Sequence, residues 1–102
     1  MKLEIILQRE TNTVRFAGDL DIYNGDAVRH ALTEHLAGEH GLELDCSRVE
    51  TCDAAGIQLL VAARRSALAA GKAFSIHAPA PAIDQCAELL GLPPQALQPL
   101  PA

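Results

Sequence analysis

Tryptophan is absent, and Phe16, Phe74 and Tyr23 are the only aromatic residues. Aliphatic side chains must therefore build the interior. Basic residues are also scarce: eight Lys and Arg against thirteen Asp and Glu give a net charge of −5. That balance argues against nucleic acid or an anionic membrane face as the partner. No apolar run approaches bilayer-spanning length, so membrane insertion is not expected, and the N-terminus shows no signal-peptide pattern. Cysteines number three, Cys46, Cys52 and Cys86. They are odd in count and irregular in spacing, with no CxxC, as in a reduced cytosolic protein whose thiols are small buried groups. Cys46, Cys52 and His77 lack metal-ligand spacing, and His30, His35 and His40 fall five apart, spreading around a helix. No Ser–His–Asp set, P-loop or dinucleotide fingerprint is present, and Gly18 and Gly25 stand isolated. No cofactor, no metal and no enzymatic activity are expected.

What is present is concentrated between Leu42 and Gly71. Leu42, Leu44 and Cys46 alternate with Glu43 and Asp45, the two-residue period of a strand with one wet face. Ser47 to Thr51 reads as a polar connection. Asp53 then stands before a long run of strong helix formers, where its carboxylate can accept bonds from the first free backbone N–H groups. Gly71 falls where a left-handed residue closes a helix. Cys52 is under opposed influences, a helix start that lowers a thiol pKa and the Asp53 carboxylate that raises it.

Two strands are predicted upstream, Met1 to Leu7 and Thr13 to Phe16, joined by a short polar turn as an antiparallel hairpin that Gly18 ends. Asn24 is placed to cap a helix running to about Ala37, with Asp26 in its first turn and Val28, Ala31, Leu32 and Leu36 on one stripe. Downstream, Ala73 to His77 reads as a fourth strand. Pro81 fits the first turn of a last helix whose apolar side holds Ile83, Ala87 and Leu90, flanked by Cys86 and Leu89. Gly91 and Leu92 have the form of a C-cap and its apolar return contact. Pro93 to Ala102 carries four of the six prolines and no charge, and is expected to be a loose tail after a domain of residues 1–92. At 102 residues the chain is one domain, able to bury about two-thirds of its unfolded surface. The expected fold is α/β, a two-layer sandwich with a mixed four-stranded sheet and helices on one face.

Stepping 100° per residue along the long helix groups Ile57, Leu60, Val61, Ala67 and Leu68 as the core stripe, with Arg64 among them and snorkelling out. The opposite side holds Ala55, Leu59, Ala62, Ala63, Ser66 and Ala70. Such a smooth face follows either from the high helix propensity of alanine or from a docking surface that lets another protein approach closely. Asp19, Asp21 and Asp53 could converge as a cation site or a receiver-type phosphoacceptor. Asp53 is already employed as a cap, however, and Lys72 is misplaced for a receiver.

Asp53-Ala54-Ala55-Gly56-Ile57, following Leu44-Asp45-Cys46-Ser47, resembles the signature of the STAS family, the domain of bacterial anti-sigma-factor antagonists. Gly18-Asp19-Leu20-Asp21 leading into a helix, and the stretch from Pro81 to Leu89-Leu90-Gly91-Leu92, extend the resemblance over residues 3 to 92. It implies a non-enzymatic protein-interaction module whose partner is an anti-sigma factor, a related serine kinase or another signalling ATPase. Beside it, docking becomes the preferred account of the alanine face, and the partner-binding residues are expected to be Asp21, Asp53, Ala54, Ala55, Gly56, Gln58, Leu59, Ala62 and Ala63. In the family the hydroxyl residue just before this glycine is phosphorylated; here that position is Ala55, preceded by Ala54, and neither accepts phosphate. The switch works by adding about −1.5 to −2 charges, so a chain of this kind that docks a kinase-like partner is expected either to resemble the permanently dephosphorylated form or to be regulated elsewhere. Thr51, Ser47 and Ser66, the nearest hydroxyls, read as solvated. Two alternatives remain: an accessory subunit of a lipid-transport ATPase, and a small-molecule or nucleotide sensor at the same corner.

Overall fold

Alternation along two central strands sets which way the sheet faces. The computed structural model describes residues 2–8, 10–77 and 80–101. It has four strands, β1 (Leu3–Gln8), β2 (Thr13–Leu20), β3 (Leu42–Cys52) and β4 (Phe74–His77), in the spatial order β1-β2-β3-β4. β1 and β2 form the expected antiparallel hairpin, while β2–β3 and β3–β4 are parallel. Val14, Phe16, Leu42, Leu44 and Cys46 are buried on one face, and Arg15, Glu43 and Asp45 stay partly wet on the other. Helices α1 (Gly25–Leu36), α2 (Ala54–Ala69) and α3 (Pro81–Leu89) cover the apolar face. The result is the expected two-layer α/β sandwich with a mixed sheet.

Both central strands run further than their composition suggests. Gly18 does not end β2: it takes φ +115° beside a register shift, and the strand continues to the fully buried Leu20. A Cβ at Gly18 would lie 2.2 Å from the Lys2 carbonyl oxygen, so only glycine fits this crossing of β1. Ser47 to Thr51 is not a connection but the second half of β3, paired with β2 as far as Cys52. β4 stops at His77 opposite Asp45. Among the described residues β3 beyond Asp45 pairs only with β2, and the side chains of Ser47, Arg48, Glu50 and Thr51 are exposed.

Asn24 does not cap α1. Its side-chain amide donates to the Asp19 carbonyl (2.9 Å) and the Asp21 carboxylate (3.0 Å). A one-turn 3-10 segment, Ile22–Asn24, enters the helix instead, and its own backbone bonds feed into α1. At the other end Lys72 donates from Nζ to the carbonyls of Leu36 and Gly38, placing a cation where the α1 dipole ends. Gly71 (φ +68°) closes α2 as expected, with Lys72 N–H returning to the Ala67 carbonyl at 2.9 Å.

In α3, Ile83 is buried and Ala87 half-buried, but Leu89 (88% exposed) and Leu90 turn outward. Gly91 closes the helix, and Leu92 packs back on the core. The residues beyond, expected to trail free, are docked. Pro94–Leu97 form a 3-10 turn, and Ala96, Leu97 and Leu100 pack against the core. Leu100 exchanges backbone hydrogen bonds of 2.8 and 3.0 Å with Phe74, and Arg64 Nε donates to the Gln98 carbonyl at 2.8 Å. Bare aliphatic surface left by a nearly aromatic-free chain gives these apolar residues somewhere to bind.

Candidate functional site

The start of α2 is fixed by Asp53, whose extended backbone (φ −108°, ψ −177°) turns the chain from β3 into the helix. Asp53 Oδ1 accepts from Gly56 N–H at 2.8 Å, the N-cap bond expected of it, and Oδ2 accepts from Ile22 N–H at 3.3 Å. One carboxylate thus ties the helix start to the turn that precedes α1. Asp21 organises that turn: its Oδ1 accepts from Tyr23 N–H at 3.0 Å and from the Asn24 side chain. Asp19 accepts from the Thr51 hydroxyl at 2.7 Å. The three carboxylates therefore have separate partners, backbone N–H groups for Asp21 and Asp53 and the Thr51 hydroxyl for Asp19. Among the described residues no group of three or more His, Cys, Asp or Glu is placed to hold a metal ion.

The turn so held presents two large apolar side chains to solvent, Ile22 at 66% and Tyr23 at 84% exposure. From Ile22 the surface continues into a groove between α1 and α2. Its upper part, about 400 Å³, is lined by Ile22, Gly25, Arg29, Ala55, Gln58, Leu59 and Ala62. Its lower part, about 290 Å³, shares Arg29, Leu59 and Ala62 and adds Leu32, Thr33, Leu36, Ala63 and Ser66. Methyl and methylene groups dominate the floor. Arg29, paired with Asp26 at 2.9 Å, lies along one wall.

The expected binding residues divide into two groups. Ala54, Gln58 and Ala62 are exposed, and Ala55, Asp21 and Asp53 are half-buried around the upper groove. Leu59 is also half-buried, a groove side chain that rests partly on the core and is not fully outward. Gly56 and Ala63 face inward. Ala63 is 5% exposed and belongs to the core. At Gly56 a Cβ would lie 2.1 Å from the Leu20 carbonyl oxygen, so its role is to let α2 press against the end of β2. The buried stripe of α2 is thus rotated toward Ala63, where α1 packs, and away from Leu68, which is 59% exposed. The Ile22–Tyr23 pair was not singled out in the sequence. Its signal was two large apolar residues set among the turn-forming Asp21, Asn24 and Gly25.

Of the nearby thiols and hydroxyls, those of Cys46 and Cys52 are shielded and those of Ser47 and Thr51 are hydrogen-bonded. Burial, the neighbouring Cys86 and the Asp53 carboxylate push Cys52 up to about 12, so the opposing pull of the helix start does not prevail. Burial likewise raises Cys46 to about 12. Ser47 donates to Asp45 at 2.6 Å, and Thr51 is committed to Asp19. Ser66 is exposed in the lower groove.

The structure is thus a one-sided α/β sandwich with an apolar groove between α1 and α2 beside the Asp53-capped start of α2. A family model described as "Mlab, STAS domain" matches residues 5–98. The chain belongs to the STAS domain family. No helix among the described residues is long and apolar enough to cross a membrane.

Proposed function

We propose that this STAS domain is a non-enzymatic docking module, related in action to the anti-sigma-factor antagonists, that binds a cytoplasmic protein partner along the α1–α2 groove. The observation that carries this reading is the shared lining of the groove by exposed Ile22 together with Ala55, Leu59 and Ala62. Contiguous exposed apolar patches of more than a few hundred Å² on a monomer commonly mark an interaction site. A partner that fills the groove removes this surface from water, and the Asp21–Asp53 rim favours basic groups at the upper end. Ala54 and Ala55 occupy the helix start where relatives carry the phosphorylated hydroxyl, so engagement there is not switched by a phosphoryl group on either residue.

Affinity capture from extract with the whole chain, compared with Ile22→Asp and Ala62→Asp, tests the proposal. Both positions are exposed, so both variants should fold normally. Recovery of an ATP-binding regulator or anti-sigma factor by the wild type, and its loss with both variants, is the expected result. Equal recovery with the variants would remove the groove from consideration. Recovery of a transporter ATPase would instead assign the module to a membrane transport assembly.

A further inference from the structure

The two edges of the sheet differ. At β4 the outer side of Phe74 is already occupied by Leu100. At β1 no described residue pairs with the outer side. The register identifies the groups left there. Asp19 N–H donates to the Lys2 carbonyl at 3.1 Å, so Lys2 and Asp19 form a hydrogen-bonded antiparallel pair. Alternation then turns the backbone of Glu4, Ile6 and Gln8 toward β2, and the N–H and C=O groups of Leu3, Ile5 and Leu7 outward. Side chains of the same three residues lie on the helix-bearing face. Leu3 and Ile5 rest on the core, and Leu7, 48% exposed, borders an open hollow of about 490 Å³ between β1 and α1.

We propose that a second copy of this chain pairs with β1 about a twofold axis at Ile5. Ile5 of one copy then lies opposite Ile5 of the other, and Leu3 of each lies opposite Leu7. All three outward N–H groups and all three outward C=O groups are satisfied in this register, and a large aliphatic side chain meets another at every core-face position. On the opposite face Lys2 falls across from Gln8, and Glu4 across from Ile6, so no like charges lie directly opposite. The edge is self-complementary in this register: each apolar core-face residue of Leu3-x-Ile5-x-Leu7 meets another from the same stretch, the isologous match that a second copy supplies. Because the twofold pairing uses the β1 edge of both copies, this contact closes at two copies with one continuous eight-stranded sheet. Strand pairing alone falls short of the roughly 1,600 Å² of a stable interface, so the dimer forms in a concentration-dependent manner. The α1–α2 groove is not part of it.

Sedimentation velocity and amide hydrogen exchange on the whole chain, over roughly a hundredfold range of concentration, test the proposal independently of any groove partner. The mass should rise to twice that of one chain as concentration increases. Over the same range the Leu3, Ile5 and Leu7 amides should gain protection, while those of Glu4, Ile6 and Gln8 should not change. Leu7→Pro removes one outward N–H without touching the hairpin bonds and should leave a folded monomer. Leu7→Lys, which keeps the backbone intact, should do the same by setting a charge in the apolar row. A monomer at every concentration, the outcome if a strand of another protein is the real occupant, would overturn the proposal. So would a dimer that Leu7→Lys does not weaken, or one that leaves the three amides unprotected.

Discussion

Asp53 holds Ile22. The two oxygens of its carboxylate divide between Gly56 N–H at 2.8 Å and Ile22 N–H at 3.3 Å, so the cap of α2 is also the anchor of the turn before α1. Asp53→Ala should cost about 1 kcal/mol of stability through the lost cap. It should also loosen the Ile22–Tyr23 turn, so that groove binding weakens by more than the stability loss accounts for. Urea unfolding and titration calorimetry on the same variant separate the two effects. Equal binding by Asp53→Ala would show that the turn keeps its position without the carboxylate.

Gly56 and Leu20 set the distance between α2 and β2. With an added Cβ 2.1 Å from the Leu20 carbonyl oxygen and 3.1 Å from Cys52 Sγ, Gly56→Ala forces backbone to move. Strain of about 1–3 kcal/mol is expected, lowering the melting temperature by roughly 5–15 °C. Calorimetry measures it. An unchanged melting temperature would mean that α2 shifts away from β2 freely.

Lys72 links the end of α2 to the end of α1. Its ammonium donates to the Leu36 and Gly38 carbonyls, groups that a helix terminus leaves without partners. Lys72→Met keeps the aliphatic stem and removes the donors. A loss of about 1 kcal/mol is expected, accompanied by faster amide exchange in the last turn of α1 with little change in β1–β3.

On the bare face of the sheet, Asp45 accepts from Ser47 and from Arg15 Nε at 3.0 Å. The Ser47 hydroxyl and amide and the Arg15 guanidinium lower its pKa below the ordinary 3.8, against the opposing effect of burial. A carboxyl lowered on folding stabilises the folded state above its unfolded value. That contribution is lost as pH falls through the lowered folded value. Thermal melts of the wild type and Asp45→Asn should therefore differ most above about pH 4 and converge in more acidic solution. A gap that stays constant down to the acid limit would show that the difference comes from packing and not from charge.

Short-range chemistry was readable in the sequence. Asp53 as a cap and Gly71 and Gly91 as helix ends depend on the few residues around them, and each has that role in the structure. The sheet and its helix-bearing face followed from alternation in Leu42, Leu44 and Cys46. Readings that depended on distant neighbours fared less well. Ser47 to Thr51 looks like a loop because β4 ends early and leaves one flank of β3 wet. The rotation of α2 that buries Ala63 and exposes Leu68 is imposed by α1, which a 100° step along one helix does not register. Ile22 and Tyr23 belong to no periodic element, so only their large apolar side chains among turn-forming neighbours marked them. Leu97 and Leu100 were hidden among prolines, whose composition suggested a tail while their leucine neighbours supplied core contacts.

The paired methyls of Ala54 and Ala55 bear on how a cell would use such a corner. With no oxygen on either side chain, neither residue can carry a phosphoryl group. If the domain engages a partner as proposed, control of that complex falls to the supply of the two proteins or to groups elsewhere in the chain, and not to a mark written on these two positions.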